Sequence, residues 1–481
     1  MEKLFVAYEE FGAVGNGKTD DMPAIVKAHE YANEKGLPIK AKEGANYYIG
    51  GKDLTAKIMT NCDFRNATFT IDDRVLENIK SSIFVVESAS ESFIPEITSL
   101  KKNQKTIDFP HKGKVMVRVS SNERKVYIRR GLNMNSGSYI SDAFVVDENG
   151  NILHGINWDY DTITTASAKS VDDEPITLLG GRFVTIANQC ESKYTYHARN
   201  IMIHRSNVTV KDLVQTITGE GEHGAPYSGF LFGENCYNLK LINCTLTPHF
   251  TYKTESKVPG ALVPMGTYAL QLTGALSPTF IGLTQTIDIM DRNYWGLMGT
   301  NFSKDIRMEN CVVSRFDAHC GVTGGYVKNC VFGSACFCLI GFNDFVIEDT
   351  EVKAFSFFNM RYDYGAHFDG KLIAKNCTWT PVEGSQYMLN ALNPGDHDFG
   401  YEACMPREIL IDGFTVDDSA IADGEPLYFL PDFDPKGVCG TVSPYKVSEK
   451  LHIKNLKVKS GRKIELSPKA ELYKNTSFIL E

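Results

Sequence analysis

The stretch that decides the fold is Leu239-Lys-Leu-Ile-Asn243-Cys244-Thr, where a short apolar run ends in an asparagine and a cysteine. The same pairing recurs at Asn310-Cys311, Asn329-Cys330 and Asn376-Cys377, with Asn61-Cys62 as a weaker copy. Each copy reads as a strand, a polar bend and a second strand. Such units, repeated every 19 to 30 residues or so or at multiples of that, are typical of a solenoid. The pattern therefore predicts an all-β protein, a right-handed parallel β-helix.

Aligning the copies predicts which side chains stack. The inward-facing anchor position holds Leu213, Cys244, Leu283, Cys311 and Cys330. The position before it holds Asp212, Asn243, Gly282, Asn310 and Asn329, residue types that tolerate a left-handed bend. A row of hydroxyl groups follows three residues after the anchor, at Thr216, Thr247, Thr286 and Ser314. The repeated cysteines are therefore expected to pack inside as small apolar groups.

Composition excludes some classes of partner. The chain has 481 residues, a net charge of −9 and 12 cysteines. That charge argues against nucleic-acid binding, which needs a basic surface, although a local arginine cluster could still hold an acidic sugar. No apolar run is long enough to span a membrane, and the N-terminus lacks a signal peptide. Because the cysteines are expected to be free thiols, we expect a cytoplasmic or phage-particle location, unless a leader has been cleaved.

The N-terminal segment Phe11-Gly-Ala-Val-Gly-Asn-Gly-Lys-Thr-Asp-Asp21 leads into an apolar stripe at helical spacing. It resembles the N-terminal motif of the pectate-lyase-like superfamily of polysaccharide lyases, glycoside hydrolases and phage tailspikes. The matching residues are Gly12, Ala13, Gly15, Gly17, Asp20, Asp21, Ala24, Ile25 and Ala28. The resemblance implies a carbohydrate-active β-helix protein. The helix that follows is expected to cap the open end of the solenoid, as terminal repeats require.

The sequence predicts four segments. Residues 1–83 form the cap and first rungs, residues 84–175 an inserted antiparallel β subdomain, residues 176–460 the main β-helix and residues 461–481 a loose, lysine-rich tail. The inserted segment is predicted from strands with alternating polarity and from Asn149-Gly150, a strong hairpin signal.

The register predicts one functional face, on rungs 207–230, 238–253, 278–296 and 305–320. Glycoside hydrolysis needs paired carboxylates, one as acid and the other as nucleophile or base. We expect Asp288 and Asp317 to face a common groove. The predicted catalytic residues are Asp317, Asp288, Asp291, His319 and Glu222. The alternative for the aspartates is that they cap turns or pair with arginines.

Other polar and aromatic residues on this face are predicted to bind the sugar chain. They are Arg315, His249, His223, Trp295, Tyr294, Tyr227, Arg361 and Asp363. Each could instead be structural. A zinc site at His249, His319 and an aspartate is an alternative without a close-spaced ligand pair, so no metal or other cofactor is expected.

Three functions stay open at this stage. The first is a glycoside hydrolase with carbohydrate as its partner. The second is a polysaccharide lyase acting by β-elimination on a uronic-acid polymer. The third is a phage adhesin or tailspike that binds glycan without cutting it. The segment Asp317-Ala-His-Cys-Gly321 departs from the known hydrolase signatures of the superfamily, so no catalytic set transfers with the resemblance. A homo-oligomer, including a trimer, is compatible with each function, and nucleic acid and membranes are not expected partners.

Overall fold

The computed structural model describes residues 4–334, 337–393, 395, 397–435 and 444–481. The chain forms two compact units. The first unit comprises Met1–Ser92 and Lys169–Met298, and the second comprises Phe93–Ala168 and Gly299–Glu481. Among the described residues, no helix is both long enough and apolar enough to cross a membrane.

Strands dominate the structure. The α-helix is α1 (Met22–Lys35), and short 3-10 helices span Tyr8–Phe11, Asp418–Ala420 and Ala470–Tyr473. The strands of the N-terminal half are β1 (Asn16–Asp20), β2 (Ile39–Lys40), β3 (Asn46–Ile49), β4 (Ala56–Ile58), β5 (Cys62–Asp72), β6 (Phe84–Val86), β7 (Ser92–Phe93), β8 (Val115–Val126), β9 (Ser138–Val146), β10 (Thr165–Ser170), β11 (Ile176–Ile186), β12 (Ile201–Ile203), β13 (Val208–Lys211), β14 (Val214–Thr218), β15 (Leu231–Glu234), β16 (Lys240–Ile242), β17 (Thr245–Leu246), β18 (Lys253–Glu255), β19 (Leu262–Pro264), β20 (Leu270–Thr273), β21 (Thr279–Ile281) and β22 (Thr284–Gln285). Those that follow are β23 (Met298–Glu309), β24 (Val312–Val313), β25 (Phe316–Lys328), β26 (Val331–Phe332), β27 (Phe337–Leu339), β28 (Gly341–Glu348), β29 (Glu351–Val352), β30 (Phe358–Met360), β31 (Phe368–Asp369), β32 (Lys371–Trp379), β33 (Leu389–Asn390), β34 (Ala403–Cys404), β35 (Glu408–Val416), β36 (Leu427–Tyr428), β37 (Tyr445–Lys446), β38 (Lys450–Val458), β39 (Ile464–Glu465) and β40 (Ser477–Leu480).

The first unit is built from parallel ladders. One ladder joins β4, β6, β12, β15 and β20, a second joins β11, β13, β16 and β21, and a third joins β11, β14, β17 and β22. The chain therefore visits each ladder once per rung, which makes a parallel β-helix. Aromatic side chains fill its interior near the cap, where the rings of Phe69 and Phe183 stack with centroids 4.8 Å apart.

The bends follow the predicted register. Asn243 and Gly282 in the first unit and Asn310, Asn329 and Asn376 in the second all have φ between 50° and 63°. The side chains of the bend residues also form a ladder, since Asn329 Nδ2 donates to Asn310 Oδ1 over 2.6 Å. An asparagine tolerates this left-handed backbone, which bulkier residues avoid.

The anchor positions also stack as predicted within each unit. Thr245 N donates to Leu213 O and Thr284 N to Cys244 O, and Val331 N donates to Cys311 O. The hydroxyl row is present, with Thr247 Oγ1 and Thr286 Oγ1 2.7 Å apart. The repeated cysteines are buried, and none of the cysteines among the described residues forms a disulfide; Cys336 and Cys439 lie outside those residues.

Helix α1 caps the first unit. Its apolar stripe at Ala24, Ile25, Ala28 and Ala32 is buried, as predicted. The carboxylate of Asp21 accepts hydrogen bonds from the backbone of the glycine-rich segment, 2.6 Å from Val14 N and 3.1 Å from Gly15 N. Strand β1, which directly precedes Asp21, pairs with β3 of the first rung. The acidic residue thus joins the helix start to the first rung.

The inserted segment forms a separate sheet in the order β7-β10-β8-β9, with β8 and β9 antiparallel. The turn at Asn149-Gly150 is present, and Gly150 has φ 79°. In the second unit this sheet is held by a buried ion pair in which Lys304 Nζ contacts Asp142 Oδ1 and Gly155 O. Within the range predicted for the insertion, β6 instead belongs to the parallel ladder of the first unit.

The prediction of a loose tail was wrong. β40 pairs in parallel with β38, with backbone bonds from Ser477 N to Glu449 O and from Glu481 N to Ile453 O, each 2.9 Å long. A terminal edge strand needs only backbone partners on one side, and its polar side chains can stay in solvent. The lysine content of this segment therefore did not prevent a final rung.

Candidate functional site

Five of the predicted residues meet in the second unit around the guanidinium group of Arg361. Asp317 lies on β25, and β27 separates it from β30, after which Arg361 follows. Two ladder spacings amount to about 10 Å, a gap that a long arginine side chain can cross. Arg361 Nη1 lies 2.8 Å from each carboxylate oxygen of Asp317. Arg315 Nη1 lies 3.8 Å from Asp317 Oδ2.

A second edge of the Arg361 guanidinium group binds the carboxylate of Asp363. Its Nε and Nη2 donate to the two carboxylate oxygens of Asp363 over 3.1 and 2.8 Å, the two-pronged geometry that suits guanidinium and carboxylate. Arg129 Nη2 lies 2.8 Å from the same carboxylate. Burial opposes ionisation of Asp363, but Arg361 and Arg129 outweigh it and lower the pKa of this carboxyl.

We call Arg129, Arg315, Arg361, Asp317 and Asp363 the arginine cluster. Its three guanidinium groups and two carboxylates carry a net charge of +1, in a chain whose overall charge is −9. The arginine side chains are 12% to 21% exposed, so the cluster is partly buried but reaches solvent. A positive site of this kind attracts an anionic group.

A neutral histidine lies beside the cluster. His319 Nδ1 lies 3.1 Å from Asn301 Oδ1, an acceptor, so the opposite nitrogen accepts from the Tyr364 hydroxyl, 3.0 Å away. Burial, with the positive charge of Arg361, lowers the pKa of His319 to about 4. The guanidinium carbons of Arg129 and Arg361 lie 5.4 and 5.3 Å from the centre of the Tyr364 ring. The imidazole is therefore an unprotonated base at neutral pH.

In the first unit, a second group of residues surrounds His249. Glu220 Oε1 lies 3.0 Å from His249 Nδ1 and accepts the backbone N–H of Phe250 over 3.1 Å. The ring of Tyr227 stacks on His249 with centroids 4.4 Å apart. Tyr294 stacks on Phe250 at 4.6 Å and remains partly exposed. We call these five residues the His249 patch; the rings of Phe250 and Tyr294 are partly exposed, which is the exposure that stacking on a sugar requires.

The remaining predicted residues lie in the first unit. Asp288 and Asp291 each accept a turn hydrogen bond of 2.9 Å, from Met290 N and Asn293 N respectively. Glu222 and His223 are exposed. Trp295 N donates to His249 O over 3.0 Å. Tyr227 is 5% exposed, and its hydroxyl accepts from Asn188 N, so its ring is packed inside. The common groove for Asp288 and Asp317 stays a prediction.

Sequence reasoning missed Arg129, Tyr364 and Glu220. Glu220 stands two residues before the predicted Glu222, and Tyr364 directly follows the predicted Asp363. Both could have been found by extending the candidate segments. Arg129 had no such signal, because it lies in the inserted segment, far along the chain from Asp363. Among the described residues, no group of three His, Cys, Asp or Glu side chains could hold a metal ion.

Comparisons with known proteins identify the fold. No family model and no curated protein matches the chain. Among solved structures, it is similar to the tailspike gp61 of Pseudomonas phage phi297, with TM-score 0.56, 12% identity, and coverage of 97% of this chain and 82% of that one. It is also similar to the tailspike gp49 of Pseudomonas phage LKA1, with TM-score 0.54 and 12% identity. That match covers 96% of this chain and 82% of the tailspike chain.

A further similar structure is the gp54 tailspike of Acinetobacter baumannii bacteriophage AP22, solved in complex with A. baumannii capsular saccharide. The TM-score is 0.52, the identity is 10%, and the match covers 99% of this chain and 79% of that one. These similarities show that the chain has the right-handed parallel β-helix fold, as the sequence predicted.

Proposed function

We propose that this right-handed parallel β-helix protein cleaves a polysaccharide, and that the arginine cluster is its active site. The reaction that the geometry supports best is β-elimination on a chain that contains uronate sugars. The observation that carries the proposal is the position of neutral His319 and Tyr364 beside three partly exposed arginines. The similarity of the fold to tailspikes, one of them bound to a capsular saccharide, supports a carbohydrate as the substrate.

β-Elimination needs a base and a cation. The base removes the proton from C5 of the uronate, and the electron pair forms the C4–C5 double bond as the C4–oxygen bond breaks. The leaving oxygen takes up a proton, so no water is consumed. A cation at the uronate carboxylate stabilises the negative charge that develops in the transition state. Arg361 and Arg315 supply that cation, and Asp317 orients Arg361.

His319 and Tyr364 handle the proton. The imidazole is unprotonated at neutral pH because burial and Arg361 lower its pKa to about 4. In this proposal the neutral imidazole takes the C5 proton, and the resulting imidazolium returns that proton to the leaving oxygen. Tyr364 is 2% exposed whereas His319 is partly exposed, so His319 is the member that meets the sugar, and its Nε2 becomes available when the Tyr364 hydroxyl turns away.

Hydrolysis fits the cluster less well. A glycosidase needs one carboxylic acid that is protonated near neutral pH, which requires a raised pKa. Asp317 and Asp363 are both ion-paired with Arg361, and the pKa of Asp363 is lowered. Paired arginines favour the ionised carboxylate. These contacts support a positioning role for both aspartates.

Glycoside hydrolysis is the second candidate, and the first unit carries it. Asp288 is exposed, and Asp291 is partly exposed and precedes Tyr294 by three residues. Burial raises the pKa of Tyr294, and the charges of Glu220 and Asp291 add to that shift, so two carboxylates lie near this ring. Asp288, Asp291 and Glu222, which all lie in the first unit, are the proposed residues for this alternative.

Product analysis separates the candidates. The purified protein is incubated with a panel of acidic and neutral polysaccharides, and ultraviolet absorbance of unsaturated sugars is recorded alongside new reducing ends. β-Elimination predicts that both signals rise together on a uronate polymer. Reducing ends without absorbance would replace the lyase proposal with hydrolysis. Saturable binding without either signal would identify a glycan-binding adhesin. Arg361→Ala is expected to lower the elimination rate about 10²-fold or more, while Lys353→Ala, a partly exposed control outside the cluster, keeps it.

A further inference from the structure

We infer that the inserted subdomain supplies Arg129 as a specificity residue, which selects sugars that carry a carboxylate. This inference rests on the proposed function, because it assigns a ligand group to the same site. Arg129 lies in the loop between β8 and β9 and is the cluster's contribution from the inserted sheet. The remaining members of the cluster come from the β-helix segment of the second unit.

The loop that carries Arg129 is fixed against Asp363. Arg129 and Asn135 form an antiparallel bridge across the loop. Arg130 N donates to Asp363 O over 3.5 Å, and Arg129 Nη2 contacts the Asp363 carboxylate at 2.8 Å. The guanidinium carbon of Arg129 lies 5.4 Å from the centre of the Tyr364 ring. Backbone, charge and aromatic contacts thus hold this side chain in one position.

The same loop contains a backbone conformation that is costly for its residue type. Tyr127 has φ 55°, in the left-handed region that bulky residues avoid. Its hydroxyl reaches Gly321 on β25, where a Cβ atom would lie 2.0 Å from the Tyr127 oxygen. Gly400 admits the Lys125 carbonyl in the same manner, with a Cβ placed 2.1 Å from that oxygen. Strained residues of this kind persist where the surroundings hold them and often mark functional sites.

The protein does not use all the hydrogen-bonding capacity of Arg129. Its Nε–H has no hydrogen-bond partner among the described residues, but that atom is buried, so a sugar would meet the Nη groups of the guanidinium instead. Asp363 already accepts two hydrogen bonds from Arg361, which balances its negative charge. The positive charge of Arg129 is therefore not fully neutralised by Asp363. With 21% of its side chain exposed, Arg129 can present its guanidinium outward. A sugar carboxylate matches that planar fork and would neutralise the net positive charge.

Binding of two simple sugars tests the inference without requiring cleavage. Glucuronate and glucose differ in the carboxylate at C6, and their affinities for the intact protein are measured by NMR titration. We expect wild type to prefer glucuronate in low salt. Arg129→Gln should reduce glucuronate affinity about tenfold or more, as for a lost charged hydrogen bond, while glucose affinity stays unchanged. Arg129→Lys keeps the charge but lacks the planar guanidinium group, so its affinity for glucuronate should lie between those of wild type and Arg129→Gln.

Lys112→Gln is the control, because it removes an exposed positive charge from the same inserted segment. Its selectivity should equal that of wild type. Unchanged selectivity in Arg129→Gln, or no preference for glucuronate in wild type, would overturn the inference. An equal loss of affinity for glucuronate and glucose in Arg129→Gln would also overturn the inference, since a purely structural role of Arg129 predicts that result. If the polysaccharide panel shows no cleavage but these titrations behave as expected, the proposed reaction fails and the specificity residue stands.

Discussion

Replacing Lys304 by Met should loosen the inserted subdomain. Lys304 and Asp142 side chains are 1% and 0% exposed, so the change leaves a buried carboxylate without its cation. Breaking such a pair costs about 3 to 5 kcal/mol. Asp142 Oδ2 still accepts from Asn157 N at 2.9 Å and Tyr160 Oη at 3.2 Å, so we expect the lower limit. A loss of about 3 kcal/mol corresponds to a change of roughly 140-fold in an opening equilibrium.

Hydrogen exchange is the suitable assay, because it measures local opening in a chain with more than one unit. The backbone N–H of Asn157, which is bonded to Asp142, should exchange roughly 100-fold faster in Lys304→Met. Asp142→Asn combined with Lys304→Met keeps an acceptor without the charge and should recover most of the protection. Lys101→Met, from an exposed pair with Asp161, should leave exchange near wild type. Acceleration below tenfold in Lys304→Met, or equal to that of Lys101→Met, would refute the reasoning.

Three further predictions concern the site, pH and the bends. In initial-rate assays, Arg361→Ala should slow elimination more than Asp317→Asn does; the reverse order would assign catalysis to Asp317. Hydrogen bonds that His204 donates to the carboxylates of Glu234 and Glu87 raise its pKa to about 9. Its stabilising contribution is therefore complete below pH 6.5 or so and disappears as pH rises through about 9, so His204→Gln should flatten urea-measured stability across that window. At φ 51°, Asn329→Val should cost about 1 to 2 kcal/mol more than Asn329→Gly in urea unfolding, and equal costs would contradict the left-handed bend.

The bends could be predicted because their cause is local. Asn310 and Asn329 carry a side chain that tolerates left-handed backbone, and each copy of the repeat supports the same alignment. The repeat spacing then placed Cys311 and Cys330 inside without any knowledge of distant contacts. The prediction of a loose tail was wrong because backbone hydrogen bonds to β38 hold β40 in place, and a lysine-rich sequence gives no sign of such bonds.

The arginine cluster could be predicted only in part. Asp317 and Arg361 belong to rungs of the repeat, so alignment singled them out as polar residues on exits from strands. Their mutual contact depends on how far the Arg361 side chain reaches along the ladder. Arg129 lies outside the repeats, so their alignment could not predict its position. Its loop is positioned by tertiary contacts such as that of Tyr127 with Gly321. A contact that depends on an insertion packing against a rung leaves no periodic signal in the sequence.

Mass spectrometry of the digestion products is the most direct test of the proposed reaction. A polysaccharide that the protein shortens is digested to small oligosaccharides in water enriched in ¹⁸O. β-Elimination consumes no water, so each cut should give one unsaturated fragment, and no ¹⁸O should enter at the cleaved bond. Each unsaturated product should be lighter by one water than the hydrolysis product of equal length. Incorporation of ¹⁸O at every cut, with saturated ends, would contradict elimination at the arginine cluster.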